Sequence, residues 1–138
     1  MNQHTTPIGT ARATELEAFC PTRPPAEEVT GQLEQLGYQL VFSMPAQRGH
    51  GDLPPLPAQY HYRHPSGAEA IYLEGRDSPS YTDKIYLPPH ESRFWLSRGG
   101  SDAEAFQLAQ STLALCWGFQ WQEARDDNEG ADTTAEVA

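Results

Sequence analysis

The sequence predicts an α+β domain, a two-layer sandwich in which an antiparallel sheet of four to five strands carries two helices packed on one face, in the order α-β-β-β-β-β-α. Three observations predict it. Ser101-Asp102-Ala103-Glu104 is a capping box ahead of an apolar run that Gly118 closes. Val29, Leu33 and Leu36 recur at helical spacing and are followed by Gly37. Between these two helical segments, short alternating runs are separated by Pro- and Gly-containing turns.

The first helix is expected from about Pro25 to Leu36. Proline suits a helix start, where the missing N–H has no partner to lose. Glu27 and Glu28 lie in the first turn, on the favourable side of the helix dipole. Tyr38 to Met44 follows as a strand, with Leu40, Phe42 and Met44 alternating against Gln39, Val41 and Ser43. Residues 46–57 read as a loop. Gln59 to His64 and Glu69 to Glu74 form a hairpin around Pro65-Ser66-Gly67. Its expected apolar face joins Tyr60, Tyr62 and His64 to Ile71 and Leu73, and its other face is mixed. Lys84 to Leu87 and Arg93 to Ser97 complete the strands. In the last helix Phe106, Ala109, Leu113, Cys116 and Trp117 share a face that Leu108 and Leu115 widen, so that helix is expected to be well buried. Phe119 and Trp121 are expected to run back along the sheet.

The domain is expected over residues 22–122. Residues 1–21, polar and Thr-rich, read as a flexible arm with a small apolar knot at Leu16, Phe19 and Cys20. Residues 123–138 read as a disordered acidic tail, carrying six acids against Arg125 alone. With 138 residues, 38% of them hydrophobic, and with 12 prolines and 11 glycines, the chain suits one domain with a modest core and long loops.

The net charge of −10 works against sequence-independent nucleic-acid binding, which draws on basic contacts to phosphate, and against anionic membrane surfaces. No run is apolar over the roughly 20 residues a membrane span requires. Two widely separated cysteines, Cys20 and Cys116, define neither a disulfide framework nor a zinc site, so a reducing, cytoplasmic setting is expected. Met1 to Ala18 shows no apolar signal core.

No motif carries recognisable chemistry, so no catalytic, metal or cofactor residue is assigned. His61 and His64, three apart on a strand, point to opposite faces and cannot share one ion without a bulge. Glu74 and Asp77 with His50, His64 and His90 would make an acid–base pocket only if they converged. Tyr60, Tyr62, Tyr72, Tyr81, Tyr86, Phe94 and Trp95 with Arg63, Lys84, Arg93 and Arg98 would form a stacking platform for single-stranded nucleic acid if the basic residues shared a face free of carboxylates. Leu53-Pro54-Pro55-Leu56-Pro57 resembles the Pro-rich core of ligands docked by SH3 or EVH1 domains, although no basic residue lies in the usual flanking register. The element order is similar to that of small acidic α+β secretion chaperones at the level of fold, with no motif of theirs matched and no site carried over.

The expectation is therefore a non-enzymatic protein-interaction module, an adaptor, a chaperone-like binder or an inhibitor- or immunity-type protein. Small enzymes and single-stranded nucleic-acid binders are the alternatives. The candidate contact residues are Val41, His61, Arg63, Tyr72 and Trp95 on the open face of the sheet, and Leu53, Pro54, Pro55, Leu56 and Pro57 in the loop. A monomer or a homodimer, joined through the same face or edge to edge, is compatible with this pattern. Ser101→Ala is expected to cost about 1 kcal/mol through loss of the cap; an unchanged denaturation midpoint would count against the capping assignment.

Overall fold

The computed structural model describes residues 14–82, 85–99 and 104–124. Ser101 to Ala103 lie outside the described residues, and the reciprocal bonds of the expected capping box lie there with them. The residues of the expected arm before Thr14 and those of the acidic tail after Ala124 also lie outside.

The elements run β1 (Glu15–Cys20), α1 (Ala26–Gln35), β2 (Gln39–Met44), β3 (Ala58–Arg63), β4 (Glu69–Glu74), β5 (Ser80–Tyr81), β6 (Tyr86–Leu87), β7 (Ser92–Ser97), α2 (Glu104–Trp117) and β8 (Gln120–Glu123). Six strands form one antiparallel sheet in the order β2-β3-β4-β7-β1-β8, and β5 and β6 pair separately. Both helices pack on one face of the large sheet, so the α+β sandwich stands as expected, with more strands than the sequence announces.

Much of the difference lies at Glu15–Cys20. The segment read as part of a flexible arm is an inner strand, paired with β7 on one side and β8 on the other. Leu16, Ala18 and Cys20 alternate with Glu15, Glu17 and Phe19, and the first set is buried under the helices. Glu15 and Glu17 alternate with Leu16 and Ala18 at a period of two, over a run too short to stand out beside the polar stretch before it. The start of the expected tail is also strand, since β8 reaches Glu123. Lys84–Leu87 was expected as a strand of the main sheet; Tyr86 and Leu87 instead pair with Tyr81 and Ser80.

α1 begins at Pro25, whose carbonyl accepts from the N–H groups of Glu28 and Val29 at 3.0 Å. Gly37 closes it with φ +99°, a conformation that suits glycine, and a Cβ there would lie 2.8 Å from the His64 Nε2. That ring nitrogen donates to the Leu36 carbonyl at 3.1 Å, while Nδ1 accepts from the Ser66 N–H at 3.0 Å. His64 thus ties the end of α1 to the turn of the β3–β4 hairpin. α2 ends where the Gly118 N–H meets the Ala114 carbonyl at 2.8 Å, as its sequence indicates.

The hairpin register pairs Tyr60 with Tyr72, His61 with Ile71 and Tyr62 with Ala70. Tyr60, Tyr62 and Tyr72 therefore share the helix-covered face, and Ile71 and Leu73 lie on the other. Tyr72 opposes Ile71 and Leu73 as expected, but Tyr60 and Tyr62 share its face and not theirs. The core joins Val29 and Leu33 of α1 and Phe106, Ala109 and Leu113 of α2 to Leu16, Tyr62, Tyr72, Phe94 and Leu96 of the sheet. α2 is not buried all round: Leu108 and Leu115 are exposed, Leu115 at 88%, and Cys116 is exposed as well.

The core tyrosines are anchored by their hydroxyls. Tyr72 donates to the Pro24 carbonyl at 2.6 Å, Tyr38 donates to the Ala105 carbonyl at 3.2 Å, and Tyr62 bonds to Thr30 Oγ1 at 2.8 Å. Burial pushes the phenols of Tyr38 and Tyr62 up from 10.0 to about 12, and that of Tyr72 up as well. A raised folded value means that the native state holds its protons longer than the unfolded chain. Stability should be complete below pH 10 and fall as pH rises toward 12. Tyr62→Phe is expected to cost about 1 kcal/mol at neutral pH and to flatten part of the alkaline fall. Urea midpoints taken across this range check both effects, and a Tyr62→Phe protein with the full alkaline slope would contradict them.

Candidate functional site

Among the described residues no helix crosses the second face of the sheet, and its side chains fall into rows given by the strand registers. One row runs Phe42, His61, Ile71, Trp95, Glu17, Gln122 from β2 to β8. The next runs Gln39, Arg63, Glu69, Ser97, Glu15. A third contains Met44, Gln59, Leu73, Arg93, Phe19 and Gln120. This open face is uncommonly apolar for one that meets solvent, with Phe42, Ile71, Trp95 and Phe19 among its side chains.

Its charges are largely paired. Arg93 donates to Glu17 in an ion pair whose side chains are only 16% and 11% exposed, and the Gln122 amide donates to the same carboxylate at 3.3 Å. The Arg93 guanidinium also lies 4.5 Å from the centre of the Phe19 ring, a cation–π contact. Arg63 meets Glu69 at 3.4 Å in a more exposed pair. The middle of the face is thus close to neutral.

At the β2 edge the sheet is irregular. The register shifts between Leu40 and Phe42, so Val41 is an extra residue in a β-bulge. Leu40 faces the helix side and Phe42 the open side, which separates two residues expected on one face. All three are exposed, at 40%, 52% and 51%. From Gln35 to Gln47 the sequence carries no charge. A groove of about 380 Å³ opens beside this edge, lined by Val41, Phe42, His61, Arg63, Glu69 and Ile71 together with Tyr62 and Ala70. Phe42 stands edge-on to His61 with ring centres 5.2 Å apart.

Val41, His61 and Arg63 of the expected contact set thus meet in one groove, and Trp95 continues the row beyond Ile71. Tyr72 does not join them. It is fully buried under the helices, stacked on Phe94 at 5.2 Å, because the hairpin pairs it with Tyr60 and not with a residue of the open face. Phe42, Ile71 and Glu17 were missed. Placing them required the β3–β4 parity and the strand character of Glu15–Cys20.

The Pro-rich segment is folded back on itself. Gln47 pairs with Leu56 and His50 with Leu53 across a turn at Gly51 and Asp52. The Pro55 carbonyl accepts from the Tyr81 N–H at 2.9 Å. Gly49 lies so close to the Leu53 carbonyl and the Pro55 nitrogen that a Cβ would approach both to 2.7 Å. Only Leu53 and Pro54 face outward; Pro55 and Leu56 are half-buried and Pro57 is buried. A docked polyproline helix offers free carbonyls along its length, and those of Leu53, Pro55 and Leu56 are already bonded. This segment works as a stiff connection between β2 and β3.

The residues of the acid–base pocket do not converge. Glu74 accepts from the Tyr60 hydroxyl at 3.4 Å, His64 serves the end of α1, and His50 lies in the folded loop. Asp77 alone meets a histidine, His90, at 3.7 Å, beside Arg23 at 2.9 Å, and the three side chains are well exposed. The stacking platform is divided as well. Tyr62, Tyr72 and Phe94 are buried under the helices, Arg63 and Arg93 are paired with carboxylates, and Lys84 lies outside the described residues.

Burial lowers the His61 imidazole from its ordinary value of 6.5, and nearby Glu69 partly offsets this. The folded state therefore takes up its proton later than the unfolded chain as pH falls. Stability should decline as pH drops through 6.5 toward the folded value and level off below it. His61→Gln is expected to reduce this decline between pH 7 and 5, read from urea midpoints; an identical slope in both proteins would show that other groups cause it.

The chain matches no family model, no curated protein and no solved structure, so any functional reading rests on the geometry of this face.

Proposed function

We propose that the chain is a non-enzymatic protein-binding module whose docking surface is the open sheet face at the β2 edge. One observation carries this reading: Val41 and Phe42 stand half-exposed, in an uncharged stretch, beside a groove floored by His61 and Ile71. Contiguous apolar surface in contact with water is costly unless something covers it. The neutralised charges nearby lower the cost of desolvating the face, and an aromatic with an arginine at the centre of a patch is a common pattern for binding hot spots. An adaptor, a chaperone-like binder and an inhibitor would each use such a surface. The reading takes the chain as cytoplasmic: Cys20 is buried and bonded to Thr22, Cys116 is exposed, and the two are unlinked. Among the described residues no helix is long and apolar enough to cross a membrane.

The test is affinity capture of the full chain from its native host, followed by identification of what is retained after nuclease and moderate salt. Phe42→Asp puts a charge into the exposed apolar edge and should leave the fold intact. It is expected to reduce retention of a stoichiometric protein partner, another copy of the chain included, by at least about tenfold. Leu115→Gln, on the outer side of α2, should retain the partner. Capture unaffected by Phe42→Asp but lost with Leu115→Gln would overturn the assignment of the surface.

A further inference from the structure

We infer that the occupant of the open face is a second copy of the chain, stacked face to face about a twofold axis that runs parallel to the strands between β4 and β7. This rests on the docking reading above and names its partner. The axis follows from the strand order. β4 and β7 are the third and fourth of the six strands, so a twofold between them lays β2 over β8, β3 over β1 and β4 over β7 of the other copy. Because the axis runs along the strands, each row of side chains meets the same row in the second copy.

That superposition is complementary in charge. The half of the face built from β2, β3 and β4 presents His61, Arg63 and Glu69, the half built from β7, β1 and β8 presents Glu15, Glu17 and Arg93, and the complementarity lies in the pairs that the rows set opposite one another. Arg63, Glu69, Ser97 and Glu15 are consecutive in one row. Arg63 therefore lies opposite Glu15 of the second copy, and the symmetry makes this pairing twice. In the adjoining row His61 lies opposite Glu17, and Ile71 lies opposite Trp95 beside the axis. The intramolecular partners Glu69 and Arg93 stay in place, so each interchain pair extends an existing ion pair into a network. Glu15 is exposed and no ion pair reaches it among the described residues.

The area is adequate. Six strands about 4.8 Å apart and six residues at about 3.4 Å project roughly 600 Å², and side-chain relief raises the accessible area toward the about 800 Å² per partner of a standard interface. Leu73, in the third row, is only 7% exposed and adds little to this area. Contact is concentrated in the two rows that hold Trp95 and Arg63. Two sheets stacked with strands nearly aligned and about 10 Å apart are an ordinary packing.

The experiment is sedimentation velocity on the full chain from about 1 to about 100 µM, the range in which interfaces of this size and modest quality dissociate. The expected species is a dimer of the 15.3 kDa chain. Arg63→Glu and Glu15→Arg, both at exposed positions, should each weaken the dimer by at least about tenfold by setting like charges opposite one another twice. The double charge swap should restore most of the affinity, with circular dichroism verifying the fold of all three variants. A chain that stays monomeric throughout overturns the second-copy assignment, and the Phe42→Asp capture then judges the docking reading alone. A dimer indifferent to both single changes, or one that the swap fails to restore, overturns the stacking register.

Discussion

The pairing of Tyr60 with Tyr72 fixes which side of the sheet every neighbouring side chain meets. A strand alternates with a period of two, so a slip of one residue would exchange the two faces completely. With this register the hydroxyls of Tyr62 and Tyr72 reach Thr30 and Pro24, and Phe94 stacks on Tyr72. A β3 slipped by one residue against β4 would bury His61 and Arg63 beneath the helices and would turn Tyr60 and Tyr62 to the open face. The His64 bridge to Leu36 holds the same register from the turn. Ser92 Oγ locks the other end, 3.3 Å from the Tyr72 hydroxyl and accepting from the Gly75 N–H at 3.1 Å.

That constraint also shapes the open face. With Tyr60, Tyr62 and Tyr72 turned to the core, the outward positions hold a mixture of aromatic and charged side chains that solvent tolerates only in part. The Glu17–Arg93 pair is the clearest case. Removing two charges from water costs several kcal/mol per ion, and their attraction recovers this only when further hydrogen bonds complete the site. Gln122 and the Phe19 ring supply such contacts. All four residues belong to β1, β7 and β8, so the pair cross-links the three strands that bring the first and last described segments of the chain into one sheet.

The helices, their glycine terminators and the β3–β4 hairpin were legible in the sequence because each is set by local chemistry. β1 was not. The polar Thr-rich stretch before it dominates the composition of that region, and the alternation of Glu15 and Glu17 with Leu16 and Ala18 is too short to stand out against it. Their side chains make sense only once β7 and β8, about eighty and a hundred residues later, lie alongside. The parity of the hairpin was equally hidden, since Tyr60 and Ile71 are both plausible core residues and only the packed register chooses between them. On α2, Leu108 and Leu115 fit the apolar periodicity, and their exposure follows from there being only one layer to bury them. Of the residues that the sequence put on the open face, Val41, His61 and Arg63 line the groove and Trp95 lies in the same row as His61. Tyr72 was misplaced by parity, and the Pro-rich segment, which the sequence read as a stiff connection or a docking loop, is folded back with three of its carbonyls bonded.

The bulge at Val41 bears on how the exposed edge can be used. An uncharged edge strand invites the addition of another strand, and bulges are one of the devices that prevent it. The register shift between Leu40 and Phe42 interrupts the ladder of β2 midway and twists the strand locally. An added strand would find no unbroken row of donors and acceptors there. The same bulge rotates Phe42 onto the open side, next to His61 and in line with Ile71 and Trp95. One extra residue thus weakens edge pairing and enlarges the apolar face. A partner covering these side chains is better served by lying across the sheet than by extending it.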